Sequence, residues 1–216
     1  MTRLPLFDGL PRGPVPGDRP LVLASSSPRR RQLMSAAGYE FDVVPAGDEA
    51  ECGMCSRETA PELAGRYAFQ KARDVAARTS PAMIVAADTV ASCMGRILGK
   101  PRDADHAREM LGLLSGRPHE VFTGVCLWRT PEQTFHAEVC CTSLKMDPLS
   151  PSMIEDYIET MLWEGKAGAI GFQDGNDWLH IVDGGSPSNV VGLPMERLAE
   201  LLESFDRVCR NVTNGP

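Results

Sequence analysis

The chain has 216 residues, 43 % of them hydrophobic and 24 % charged, which is enough for one core that needs no covalent staples. Its 20 glycines and 17 prolines fall short of a low-complexity composition, so collagen, coiled coil and wholesale disorder are excluded. A formal net charge of −7 disfavours non-specific binding to nucleic acid or to an anionic membrane, and no apolar run approaches the roughly 20 residues that span a bilayer.

Residues 1–19 hold four prolines and three glycines with little apolar periodicity, which predicts an extended, mobile tail ahead of one domain over residues 20–210. No continuous apolar stretch marks a secretory leader. Seven cysteines, an odd count, argue against a disulfide framework, so a reducing cytoplasm is the expected setting. Leu21-Val22-Leu23-Ala24 fits a buried strand. Ser25-Ser26-Ser27-Pro28 then opens a helix that closes at Gly38, with serine suited to the cap, proline to the first turn and glycine to the exit. Phe41 to Val44 reads as a second strand, and residues 45–58 as a polar loop. Thr59-Ala60-Pro61-Glu62 has the spacing of a capping box and predicts a helix to about Ala77.

Met83 to Ala87 predicts a buried strand that ends at Asp88-Thr89, followed by a hairpin of Val90–Cys93 and Arg96–Leu98 around Met94-Gly95. Asp103 caps a helix to about Leu114. Two longer strands, 119–128 and 134–146, turn near Thr130-Pro131, and a helix runs from Pro151 to Leu162. Gly165 to Gly175 is a glycine-rich loop, Trp178 to Val182 a strand, and Pro194 begins a last helix. In that helix Leu198, Leu201, Leu202 and Phe205 form one apolar stripe. Interleaved strands and helices with some hairpins predict an α/β domain with a mixed sheet.

Four constellations could carry chemistry. Ser25, Ser27, Arg29 and Arg30 gather hydroxyls and guanidinium groups at a helix N-terminus, a place that attracts anions such as phosphate. A plain serine cap followed by solvated arginines would have the same wording. Asp88-Thr89 at a strand end could hold a hard cation or activate water, or could merely cap a turn. Gly95 to Pro101 superficially suggests a P-loop, but it is one residue short, and proline stands where a hydroxyl residue and an N–H donor are needed. Lys100 alone remains there as a candidate phosphate cation. In the Gly165–Gly175 loop, Lys166 could add a charge, and the Gln173 amide could read donors and acceptors on a base edge. Cys52-Gly53-Met54-Cys55 has no second ligand pair for zinc and precedes no helix start, and the four histidines lack metal-type spacing. Neither GxSxG nor HExxH occurs.

The order of LASSSPRR, AADTV, ILGKPRDADHAREML, LLSGRPHEVFTGV, KAGAIGFQ and SNVVGLP, spread from about Leu21 to Leu202, resembles the Maf family, nucleoside triphosphate pyrophosphatases named for an association with septum formation. The resemblance implies an elongated α/β fold with a mixed sheet and a deep central cleft, similar to inosine triphosphate pyrophosphatases. It also implies hydrolysis of a nucleotide to its monophosphate and pyrophosphate with Mg²⁺ or another divalent cation such as Mn²⁺. Asp88 matches the catalytic acid of the family's ADT motif, as general base or as metal ligand, and Lys100 matches the lysine of its GKP motif. Arg29 and Arg30 match its PRR motif, and Lys71 a lysine of the phosphate site. Glu49 matches the acid of the loop after the second strand, which the resemblance implies binds metal with Asp88, and Glu51 is its rival. Arg29, Thr89 and Gln173 match positions associated with substrate choice, and they resemble the branch that prefers dTTP and UTP. Two departures sit beside the base reader: Ile170 replaces the usual aromatic of KAGAY, and Gly171-Phe172-Gln173-Asp174 replaces GIQG. A 7-methyl-GTP pyrophosphatase and a non-hydrolysing nucleotide-binding regulator of cell division stay open as alternatives. A homodimer is compatible with the resemblance, whereas a nucleic-acid or membrane partner is not expected.

Overall fold

The computed structural model describes residues 7–15, 19–53, 55–182 and 185–213, with side chains in the last helix up to Phe205. In these residues seven strands form one mixed sheet: β1 (Leu21–Leu23), β2 (Asp42–Val43), β3 (Ala82–Cys93), β4 (Arg96–Leu98), β5 (Pro118–Thr130), β6 (Thr134–Met146) and β7 (Leu179–Ile181). Their order is β2-β1-β3-β5-β6-β7, with β4 also on β3. The strands from β2 to β3 run parallel, and those from β3 to β7 pair antiparallel. Among the described residues six α-helices cover the sheet: α1 (Pro28–Ala36), α2 (Ala60–Ala76), α3 (Ala104–Leu114), α4 (Pro151–Glu159), α5 (Pro187–Val191) and α6 (Met195–Thr213). The mixed α/β class expected from the sequence is the one observed.

Strand alternation divides the core. Ala82, Ile84 and Ala86 of β3 face α2, where Ala68, Ala72 and Val75 meet them. Met83, Val85 and Ala87 face the other way, against Leu33 and Met34 of α1 and the Leu198, Leu201, Leu202 stripe of α6. Farther along that second face, Ala91, Cys93 and Val121 pack with Leu111 and Leu114 of α3 and with Tyr157 and Ile158 of α4. The long strands therefore run under two helical caps, and the sheet between the caps becomes the floor of a cavity.

The caps predicted for the helices form in most cases. Thr59 and Glu62 make the reciprocal capping box that opens α2, and the Asp103 side chain accepts from the His106 N–H at 2.8 Å. Ser27 occupies the N-cap of α1, but its side chain makes no capping bond. The short helix α5 was not expected from the sequence.

Two expectations change. β3 does not stop at Asp88: it continues unbroken to Cys93, because β5 pairs with it from Ala82 to Ser92. The tail does not hang free over residues 7–15. Phe7, Leu10 and Val15 pack against the core, and the Gly13 N–H donates to the Tyr39 hydroxyl at 2.8 Å. A Cβ at Gly13 would lie 2.2 Å from the Ala199 carbonyl oxygen, so this glycine lets the segment cross α6 closely. Residues 1–6 and 16–18 lie outside the described residues.

Gly124, paired with Asp88 in register, has a comparable role on the opposite face. A Cβ there would sit 2.2 Å from the Ala64 carbonyl oxygen of α2. Its absence lets α2 lie close to the sheet, and from that helix Lys71 reaches Asp88. Gly124→Ala should lower stability by about 1–3 kcal/mol or more, because the clash is with backbone that cannot rotate away. Thermal denaturation measures it, and an unchanged melting temperature would contradict the tight approach.

Candidate active site

β3 outruns its neighbour on one side. Pairing with β1 ends where the Ala24 N–H reaches the Val85 carbonyl oxygen, and β4 takes up the same edge only at Ala91. Asp88 and Thr89 lie in the open interval between. They are adjacent in a strand and so point to opposite faces, yet both line a cavity of about 670 Å³ that opens there. Asp88 thus reaches the cavity from mid-strand and not from the carboxyl end where the sequence suggested it.

Lys71 organises the acidic side of the cavity. Its Nζ lies 2.5 Å from Asp88 Oδ1 and 2.6 Å from Glu51 Oε1. Lys71 and Asp88 are buried, whereas Glu51 is partly open to solvent. Burial alone would push the Glu51 pKa up. The Lys71 ammonium outweighs it, helped by Lys100 and Arg30, and Glu51 ends below its ordinary value of 4.5. The two loop acids differ in where they lie. Glu49 sits exposed in a short 3₁₀ turn, Asp48–Ala50, outside the cavity lining, whereas Glu51, just past that turn, enters it.

On the basic side, Arg30 is buried and held by three acceptors. Nε donates to the Gly192 carbonyl at 2.7 Å, Nη1 to Ser25 Oγ at 3.1 Å and Nη2 to Thr89 Oγ1 at 3.0 Å. Burial pushes its pKa down and the Asp88 carboxylate pulls it back up, but an arginine keeps its charge at any physiological pH. Arg30 therefore joins α1, β3 and the turn after α5, besides giving the cavity a fixed positive charge. Ser25 Oγ also accepts from the Ser27 N–H at 3.2 Å, which shapes the turn between β1 and α1. Arg29 donates to the Gly165 carbonyl at 2.8 Å across the cavity mouth. Lys100 lines the cavity from an exposed position, with no ion-pair partner among the described residues.

Lys166 differs from the expectation of a cation open to substrate. Its Nζ lies 2.5 Å from both carboxylate oxygens of Asp174, and Asp174 Oδ2 also accepts from the Tyr157 hydroxyl at 2.9 Å. Burial lowers the Lys166 pKa, and Asp174 offsets part of that. Asp174 is one of the departures noted in the sequence, and its partner explains its presence. Gly171 makes room for this cluster, since a Cβ there would lie 2.6 Å from Gln173 Nε2 and 2.8 Å from Lys166 Nζ. Gln173 lines the cavity beside it.

Ser25, Ser27, Arg29, Arg30, Lys71, Asp88, Thr89, Lys100, Lys166 and Gln173 thus all border one cavity, and only Glu49 falls outside it. Sequence reasoning missed Asp174, Tyr157, Thr123 and His119. Thr123 shares a hydroxyl contact with Thr89 at 3.0 Å, a pairing that strand register alone would have exposed. Cys52 and Cys55 are exposed and not disulfide-bonded, and Cys52 Sγ contacts Gln70 and Arg66. Among the described residues, no three His, Cys, Asp or Glu side chains cluster as a protein-only metal cage, and no helix is long and apolar enough to cross a membrane.

An α/β sheet with a cleft that sets two carboxylates against several fixed cations defines a protein built for a polyanionic small ligand. The chain belongs to the Maf-like protein family, whose model matches residues 20–205. A dTTP/UTP pyrophosphatase of Rhodopirellula baltica is 57 % identical over 212 residues, covering 96 % of this chain and 93 % of the relative. A dTTP/UTP pyrophosphatase of an Anaeromyxobacter species is 41 % identical, covering 84 % and 87 %, and one of Pyrococcus furiosus is 39 % identical, covering 85 % and 94 %. Among solved structures, a HAM1 protein from Coxiella burnetii matches at a TM-score of 0.46 and 16 % identity, over 86 % of this chain and 99 % of that one.

The Glu51–Lys71 contact has a testable electrostatic signature. Because the folded value of Glu51 is depressed, its contribution to stability is present above pH 4.5 and is lost as pH falls through the lowered value. Lys71→Met leaves burial as the main influence, so the Glu51 midpoint should move above 4.5 in a carboxyl NMR titration. A midpoint that stays low would place the stabilising charge elsewhere.

Proposed function

We propose that this protein hydrolyses dTTP and UTP to the monophosphate and pyrophosphate. The observation that carries the reading is the open edge of β3, where Asp88 and Lys71 face the same cavity as Arg29, Arg30 and Lys100. The names of the relatives supply the substrate and weigh against 7-methyl-GTP.

In this reading the triphosphate chain lies between the cations and the carboxylates, its charge offset by Arg29, Arg30 and Lys100. Water attacks the α-phosphorus as the bond to the bridging oxygen breaks, and pyrophosphate leaves. Asp88 takes the proton of that water. Lys71 holds Asp88 through Oδ1 and fixes where the carboxylate points. Catalysis here is mainly placement and charge neutralisation, and each fixed contact removed costs a large factor.

The donor set suits a divalent cation. Mg²⁺ is commonly bound by one or two carboxylates together with substrate phosphates, and Asp88 and Glu51 each give one oxygen to Lys71 Nζ, which leaves the second oxygen of each carboxylate for a cation. A bound Mg²⁺ or Mn²⁺ would neutralise phosphate charge in the transition state. Residues 51 and 88 would hold it.

Incubation with a panel of triphosphates and Mg²⁺, read as pyrophosphate release, tests the assignment. Turnover of dTTP and UTP is expected, and nucleotide binding without any turnover would establish a sensor instead. Asp88→Asn should cut the rate roughly a hundredfold or more while the fold melts normally. Chelation with EDTA should abolish release, and added Mg²⁺ or Mn²⁺ should restore it. Full activity in the chelator would remove the metal from the scheme.

A further inference from the structure

Glu51 meets Lys71 from a stretch of chain with little regular structure of its own. The 3₁₀ turn Asp48–Ala50 ends just before it, and α2 begins only at Ala60. The preceding side is tied down by backbone: the Glu51 N–H donates to the Asp48 carbonyl at 3.1 Å, and the Gly47 N–H to Asp74 of α2 at 3.0 Å. On the following side, Cys52 and Gly53 lie in neither helix nor strand. The Glu51 side chain is itself 45 % exposed, so packing does not fix its place.

What holds the following side is Arg66 of α2. A guanidinium carries five N–H donors in one rigid plane, and here each has an acceptor. Nε and Nη2 grip the two oxygens of the Glu58 carboxylate at 2.6 and 2.7 Å. Nη2 also donates to the Gly53 carbonyl at 2.7 Å. Nη1 donates to Cys52 Sγ and to the Gln70 amide oxygen, both at 3.3 Å. Gln70, four residues farther along α2, returns a donor to the same sulfur at 3.4 Å. Four of the five acceptors therefore belong to residues 52–58. An isolated surface ion pair would contribute little, but this one is bidentate, and the Glu58 side chain is only 7 % exposed.

The consequence is geometric. Lys71 follows Gln70 in the same helix, so α2 carries both the ammonium that Glu51 meets and the side chains that dock the chain just after Glu51. Neighbouring Cα atoms are only about 3.8 Å apart, so a displacement at Cys52 or Gly53 is passed to Glu51. We infer that Arg66 is a positioning residue for the reaction: by docking residues 52–58 on α2 it sets the Glu51 carboxylate where it can share a divalent cation with Asp88. Arg66 is not part of the cavity lining and acts through Glu51. Without its fork the site keeps every ligand but loses the placement of one.

The inference rests on the reading of Glu51 as a cation ligand, and a double-mutant cycle separates the two. Calorimetry follows α,β-imido-UTP, which resists cleavage, as it binds with Mn²⁺ and, separately, in EDTA. Arg66→Met should weaken binding of the Mn²⁺ complex roughly tenfold or more, as loss of a partner behind a metal ligand does, and leave binding in EDTA unchanged. Turnover should divide in the same way. The Mg²⁺ concentration for half-maximal rate should rise, with kcat at saturating Mg²⁺ close to native. On a Glu51→Gln background, Arg66→Met should add no further loss, because the residue it acts through has lost its charge. Arg66→Lys keeps a charge beside Glu58 without the fork that also reaches Gly53 and Cys52. It should show the same selective loss, and it carries the test if R66M fails to fold. Equal weakening with Mn²⁺ and in EDTA, or a loss on the E51Q background as large as on the native one, overturns the inference and leaves Arg66 a general structural role. Unchanged Mn²⁺ binding by E51Q removes the metal role of Glu51 first, and the positioning role falls with it. If the native protein binds the analogue in neither condition, the dTTP/UTP reading itself has failed.

Discussion

The ammonium of Lys71, held between the carboxylates of Asp88 and Glu51, is the contact around which the site is organised. A buried lysine and a buried aspartate are each expensive alone, and neither would be tolerated here without the other. Their meeting requires α2 to lie close on the sheet. That closeness depends on the small side chains Ala64, Ala68 and Ala72 along the inner face of the helix and on the missing Cβ of Gly124. Packing and electrostatics are therefore one problem in this fold: the alanines and the glycine set the helix height, and the height sets where the charge lands.

Arg30 has the corresponding role on the other face. Its three hydrogen bonds join the start of α1 to Thr89 of β3 and to the turn at Gly192, and all three acceptors are neutral, one backbone carbonyl and two hydroxyls. Charge-assisted bonds of this kind contribute about 1.5–3 kcal/mol each. The same arginine that lends positive potential to the cavity thus also ties together the elements that frame it. Arg29 and Lys100 are less enclosed: Arg29 is half-buried and donates to the Gly165 carbonyl, and Lys100 is exposed.

Asp174 gives this chain an individual feature. It pairs with Lys166 and fixes the glycine-rich loop against Tyr157 of α4. The loop that carries Gln173 is therefore anchored by a buried ion pair. Ile170, the other departure from the resembling motifs, adds an apolar wall to the cavity. The cavity lining thus combines charged side chains with apolar walls.

The sequence alone determined the elements and most of the site's membership. Apolar runs located the strands of the sheet, the Thr59–Glu62 spacing opened α2, the leucine stripe marked α6, and the ordered motifs named Asp88, Lys71, Lys100 and the arginines. Such signals are local, read within a few residues. The tertiary structure alone decided which of Glu49 and Glu51 enters the cavity, that β3 carries Asp88 in its middle, that residues 7–15 dock on the core, and that Lys166 is already paired. It also showed an unpartnered nitrogen on His119. Each of these depends on what lies opposite a residue from a distant part of the chain, as Gly192 lies opposite Arg30 and α2 opposite β5. Side chains acquire partners by packing, and neither periodicity nor spacing carries information about packing across a sheet.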